Sequence, residues 1–221
     1  MYLFDQNDAK SSLQSFFSNN GSAINNFGKT VNQTFEAYVF ASTIKWYSRN
    51  KWDIKCHNPK YGPHKGQFQL KFSTRGAPKN YTFIRCTKGN QTVQIRHGLR
   101  VATKFMQAGQ KYPSNLCLDV SIINDNDLSY YGTSDSLPND QLVTFGEAKH
   151  MSGFAELIAG FIGMVHEMKP DFLKKKKLGK HHPQPFLYVS GRLNPTAKGI
   201  KETIEYRKIQ VDIYSFDNKM T

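Results

Sequence analysis

Three charged side chains stand where strand alternation would bring them together: Asp119, Glu147 and Lys149. Residues 142–151 read LVTFGEAKHM, preceded by the turn-like Leu137-Pro138-Asn139-Asp140 and followed by Ser152-Gly153. The apolar and β-branched run between these breaks reads as a strand. Side chains alternate along a strand, which puts Glu147 and Lys149 on the same face. A carboxylate there can hold a divalent cation, and an ammonium can steady an attacking water or a charged oxygen. Residues 116–123, LCLDVSII, read as a second strand interrupted by one acid. On it Cys117, Asp119, Ser121 and Ile123 share a face, and a carboxylate inside such a run is costly to bury unless compensated. If the two strands pair, Asp119 meets Glu147 across the ladder. Two converging carboxylates repel each other, and a divalent metal removes that penalty.

The order Asp119, then Glu147-Ala148-Lys149, then an amphipathic helix resembles the PD-(D/E)xK nuclease superfamily over roughly residues 30–216. Leu118 stands where that family usually has a proline. The resemblance implies a restriction-endonuclease-like fold, a mixed sheet flanked by helices. It implies that Asp119 and Glu147, with the carbonyl of Ala148, hold Mg2+, for which Mn2+ can substitute, and that Lys149 positions the attacking water. In that superfamily the first helix often adds an acid to the metal site. Glu36 is the only acid in the first helix here, and two readings of it stay open: a further ligand, or a solvated carboxylate at the edge of the buried face. The expected activity is metal-dependent hydrolysis of phosphodiester bonds, in DNA rather than RNA. Members of the superfamily cut as dimers or inside larger assemblies, which leaves room for a homodimer or a partner protein. The alternative is a binding module of the same fold in which the acids and the lysine only pair with one another.

Charge points to the same class of partner. Thirty Lys and Arg against seventeen Asp and Glu leave a net +13, an excess that favours a polyanion and a steep salt dependence. Arg85, Arg96 and Arg100 punctuate the central strands, and the guanidinium fork suits phosphate. Lys174, Lys175, Lys176 and Lys177 make a dense basic loop able to contact a nucleic-acid backbone or simply to be solvated. Tyr81 and Phe83, interleaved with the arginines, read as an ordinary hairpin face rather than as base-stacking rings. Three cysteines without a CxxC suit a reducing compartment, cytoplasmic or, in a eukaryote, nuclear. No apolar run reaches the ~18 residues of a membrane span, and the N-terminus lacks the pattern of a secretory signal.

The positioning elements follow from periodicity. A single α/β domain is expected from residue 30 onward, after an Asn- and Ser-rich arm or short helix over 1–29. Thr30 and Gln33 look like a capping box opening a helix to about Arg49, with Phe35, Tyr38, Val39, Ser42 and Trp46 as its apolar stripe. Strands are expected at 52–56, at 68–72, and in a hairpin of 81–86 with 92–96. The loop between the first two carries His57 and His64, read as loop residues. Residues 124–141 read as a turn-prone acidic loop, in which Asp125, Asp127, Asp135 and Asp140 rival Asp119 as ligands. Asp119 is preferred because apolar strand neighbours fix its direction. Residues 153–168 carry the clearest helical spacing, through Phe154, Leu157, Ile158, Phe161, Ile162 and Val165. Glu156 and Glu167 fall on its solvent side, and Gly160 and Gly163 could admit another backbone. A strand at 186–190, a helix capped by Asn194-Pro195 and a last strand at 209–213 complete a crossover unit.

Overall fold

Alternating apolar residues build one seven-stranded mixed sheet whose spatial order follows the sequence. The computed structural model describes residues 31–174 and 181–220. Within them lie α1 (Val31–Arg49), β1 (Asp53–His57), β2 (Phe83–Lys88), β3 (Gln91–Ala102), β4 (Asn115–Asn124), β5 (Leu142–Lys149), α2 (Ala155–Met168), β6 (Phe186–Val189), α3 (Pro195–Tyr206) and β7 (Asp212–Tyr214). Strands β1 to β5 pair antiparallel; β5, β6 and β7 run parallel, joined through α2 and α3. Parallel neighbours need such crossovers, which is why the helical spacing after Glu147 coincides with the change of strand direction. The expected α/β class with a mixed sheet and flanking helices is what the chain adopts. Residues 1–30, with the arm and Thr30 of the capping box, lie outside the described residues.

The sheet divides two cores. Val93, Ile95, Val120, Ile122, Ala148 and Phe186 pack against Phe35, Val39, Phe40, Ile44 and Tyr47 of α1. Phe145, Leu187, Val189 and Ile213 pack with Ile158, Phe161 and Val165 of α2 and Ala197 and Ile204 of α3. The expected stripe of α1 is displaced: Tyr38, Ser42 and Trp46 are only half-buried, whereas Phe40, Thr43, Ile44 and Tyr47 are buried. The cause is the segment 68–72, expected as a strand. It joins no ladder, and instead Phe68 and Leu70 enter the α1 core. Gln69 exchanges bonds with Thr82, its N–H reaching Thr82 Oγ1 at 2.8 Å and its carbonyl taking the Thr82 N–H at 2.8 Å. A helix covered from more than one side shows little amphipathic signal. Buried Thr43 is satisfied by donating to the Val39 carbonyl at 2.9 Å.

In α2 Ile158, Phe161 and Val165 of the expected stripe are buried, with Met168 besides; Leu157 and Ile162 are half-buried, Phe154 is exposed at the N-cap, and Lys169 and Pro170 end the helix. Among the described residues nothing lies within reach of a Cβ at Gly160 or Gly163, so no described backbone approaches them. Asn194 caps α3, its side chain accepting the Ala197 N–H at 2.8 Å.

Two glycines fix the strands that carry the acids. A Cβ on Gly146 would meet the Phe186 ring, so only glycine lets β6 close against the strand of Glu147. Gly98, between the residues that pair with Val120 and Leu118, has φ 63°, and a Cβ there would lie 2.3 Å from the Lys71 carbonyl oxygen. Gly98→Ala is therefore expected to destabilise the domain by about 1–3 kcal/mol, the cost of a strained left-handed residue. Urea unfolding measures it, and an unchanged midpoint would refute the close approach.

Candidate active site

Strands β4 and β5 bring Asp119 and Glu147 opposite each other where their ladder ends. The last paired residues are Val120 and Gly146, so Asp119 and Glu147 are the next pair outward. Beyond it the backbone bonds give way to side-chain bonds. Asp119 Oδ2 accepts the Ala148 N–H at 2.9 Å, and the Asp119 N–H points at Glu147 Oε1 at 3.5 Å. Lys149, two residues along on the same face, closes the group. Its Nζ lies 2.8 Å from Glu147 Oε2 and 3.3 Å from Asp119 Oδ2. The three residues picked out by strand alternation thus converge on one point.

Their surroundings differ. Glu147 is 5% exposed, whereas the side chains of Asp119 and Lys149 keep 21% and 38% of their surface. Burial first, then the neighbouring Asp119 carboxylate, raise the Glu147 carboxyl far above the carboxylate range, from 4.5 to about 8; Lys149 pulls the other way. Burial works against the Lys149 ammonium too, but Glu147 and Asp119 outweigh it and hold its pKa above the usual lysine value. Both directions cannot be fully realised at once, since a protonated Glu147 no longer supports Lys149. The upward shift of Glu147 governs, because that carboxyl is the deeply buried one facing another acid, while Lys149 reaches water. In either case Lys149 stays an ammonium at neutral pH, a hydrogen-bond donor rather than a base.

The oxygens suit a hard cation. Asp119 Oδ1 takes no hydrogen bond from the described residues. Magnesium is commonly held by one or two carboxylates, with waters and phosphate oxygens completing its shell. Among the described residues no group of three or more His, Cys, Asp and Glu side chains is placed to hold a metal ion. Glu36 therefore does not join Asp119 and Glu147. Its Oε2 lies 3.4 Å from His97 Nε2, at ion-pair distance but outside hydrogen-bond geometry. His97 belongs to the run with Val93 and Ile95 that faces α1, whereas the acids lean to the other side of the sheet. The His97 Nδ1–H donates to the Lys71 carbonyl at 2.8 Å.

The residues read as phosphate contacts separate. Arg85 is partly exposed and pairs with Asp125 at 3.1 Å. Arg100 bonds Asn115 and the Thr74 carbonyl, each at 3.2 Å. Arg96 is only 6% exposed, so it cannot serve as the surface contact expected of it. Its Nε donates to Gln94 Oε1 at 2.8 Å, and burial lowers its pKa to about 9, still a cation at neutral pH. Lys174 is exposed and pairs with Asp171 at 2.6 Å; Lys175, Lys176 and Lys177 lie outside the described residues.

Sequence reasoning missed Lys71. Its buried Nζ donates to the Gly98 carbonyl at 2.6 Å, and Cys117 Sγ shares that acceptor at 3.3 Å. Gly98 lies across the β3–β4 ladder from Asp119, so a buried lysine stands behind the acid pair in addition to the partly exposed Lys149. Its only sequence signal was a lysine between Leu70 and Phe72. All three cysteines are free, and no described helix is long and apolar enough to cross a membrane. No family model, curated protein or solved structure matches this chain.

Proposed function

We propose that this protein is a metal-dependent nuclease of the PD-(D/E)xK type that hydrolyses phosphodiester bonds, in DNA before RNA. The observation that carries the reading is the Lys149 ammonium held within 3.3 Å of two carboxylates from neighbouring strands, on a partly open sheet face. The run of elements supports the family: a helix, antiparallel strands, an acid on one strand, Glu-x-Lys on the next, then a helix and a parallel strand. The net charge of +13 supports a polyanionic substrate.

Asp119 and Glu147 would hold the magnesium, and Ala148 lies between Glu147 and Lys149 with its carbonyl as the third donor the resemblance implies. When bound, the metal supplies Lewis acidity toward a phosphoryl oxygen and activates water. The chain's own residues do the rest. Lys149, a third exposed, donates to the attacking water or to a phosphoryl oxygen as the new P–O bond forms and the bond to the leaving oxygen breaks. Glu147, buried beside Asp119, gains most from a cation, since the metal removes the repulsion that otherwise favours its neutral form.

A second reading has an observation of its own: the ammonium already neutralises the acid pair as an internal salt-bridge cluster. A scaffold that binds nucleic acid without cutting it would need no more. Incubation with single-stranded, duplex and branched DNA and with RNA, in magnesium, manganese or excess chelator, separates the two. The nuclease yields products that need metal; binding without products in every metal leaves the scaffold.

A further inference from the structure

A cavity of about 630 Å³ lies over β1, β2 and β3. Its floor is a row of planar side chains set by strand register: His57 opposite Phe83, and Phe83 opposite Arg96. The His57 and Phe83 rings are parallel within 5° at 4.8 Å, and the Arg96 guanidinium lies 4.3 Å from the Phe83 centroid. In the next row Arg85 is opposite Gln94, and Asp125 Oδ1 takes both Arg85 Nε at 3.1 Å and Gln94 Nε2 at 2.6 Å. Residues 58–61, 78, 79, 81 and 125–129 form the walls.

We infer that this cavity binds an unpaired nucleotide of a nucleic-acid strand. Phe83 is held between the His57 ring and the Arg96 guanidinium, so the floor presents the edges of this stack, whose donors can meet the edge of a base lying across it. Arg96 is a buried cation whose bonds go to Gln94 and, at 3.4 Å, to the Pro78 carbonyl; no carboxylate pairs with it directly among the described residues. Such a charge favours an acceptor entering the cavity. Asp125 Oδ2 accepts no hydrogen bond from the described residues, leaving an acceptor for a base N–H. Lys60 and Lys79 line the cavity with charge for a phosphate. A bare phosphate would leave most of this volume empty and meet Asp125, and an acidic peptide would meet it too. A nucleotide presents an anion, a flat ring, and both donors and acceptors. The volume lies within the ~300–1,000 Å³ usual for small-ligand clefts. A base can reach the floor only out of its stack, so the strand must be single or locally opened.

The cavity lies on the same sheet face as the acid pair. Arg96 is opposite Ser121, two residues from Asp119 along β4, about 7 Å by strand rise. That a strand crosses from one to the other rests on the nuclease reading; the binding does not.

The test uses the full chain carrying Asp119→Asn, so that no cleavage interferes, with short fluorescein-labelled single-stranded DNA and the matching duplex, read by anisotropy at one salt concentration. The single strand is expected to bind about tenfold tighter than the duplex. Phe83→Leu removes the ring that holds His57 and Arg96 in place, and should lower single-strand affinity about tenfold, the cost of about one lost charged hydrogen bond, and leave duplex affinity nearly unchanged. Lys60→Glu and Lys79→Glu alter the cavity's charge without touching its floor, and guard against loss of folding in the Phe83 variant. They should weaken the single strand more than the duplex. Deoxynucleoside 5′-monophosphate should compete at concentrations where inorganic phosphate does not. Equal affinity for both DNA forms, equal losses in the variants, or equal competition by phosphate would each overturn the inference. A wild-type chain that cuts nothing would refute the nuclease reading while leaving this result intact.

Discussion

Lys149→Met is expected to lower metal-dependent cleavage by about 10²–10⁴-fold while nucleic-acid affinity changes only a few-fold. Among the described residues the ammonium is the one cation paired with both acids, 2.8 Å from Glu147 and 3.3 Å from Asp119. Removing it removes the donor that would meet charge developing on the phosphoryl oxygens. The fold should survive. Lys149 is 38% exposed, so its ion pairs are partly screened. Glu147, whose neutral form burial already favours, can take up a proton in place of the lost ammonium. Lys149→Arg restores the charge but replaces a compact three-donor group with a wider planar fork, and should recover only part of the rate. Single-turnover cleavage alongside circular dichroism distinguishes a lost chemical step from a lost fold. Wild-type cutting by a folded Lys149→Met chain would remove the lysine from the mechanism.

The acid pair was legible because its cause is local. Strand alternation fixes the side of Glu147 relative to Lys149, and the apolar neighbours of Asp119 mark it as held rather than solvated. The pairing of β4 with β5 then needed only adjacency, which antiparallel strands joined by a loop supply. Features that depend on distant chain were not legible. Residues 68–72 alternate like a strand, yet Gln69 and Thr82 satisfy each other without a ladder, and Phe68 turns into the α1 core. Strand β3 was expected over 92–96. It runs on to Ala102 because β4 pairs with it as far as Asn115, and Gly98 lets the Lys71 carbonyl approach within that stretch. Arg96 read as a surface cation because nothing in its neighbours reveals the wall formed by residues 78, 79, 81 and 125–129. Glu36 lies in the helix anticipated for it, but which side of the sheet that helix covers is a tertiary fact.

Without metal, the domain should lose stability as pH rises from the mildly acidic to the mildly alkaline range, and Glu147→Gln should abolish that loss. The sign follows from proton linkage. Glu147 has its pKa raised in the folded state, so between 4.5 and about 8 the folded chain binds more protons than the unfolded one. Where the native state holds the extra proton, unfolding free energy falls with increasing pH. The contribution is complete below the unfolded pKa and disappears as pH passes the folded one. Other buried groups titrate as well, among them Asp212 with its raised pKa, so the quantity to measure is the difference between wild type and Glu147→Gln at each pH. In chelator the glutamine chain should melt higher than wild type on the alkaline side, because the amide is buried beside Asp119 without a charge. Magnesium or manganese should reverse the order there. A ligand that binds only the folded chain stabilises it, and this one needs Glu147 deprotonated, so its effect should grow with pH. The metal-induced rise in melting temperature should therefore be small on the acidic side, larger on the alkaline side, and absent in Glu147→Gln at both. Parallel pH curves for the two chains, or an equal response to metal, would mean that Glu147 neither carries a raised pKa nor holds the cation.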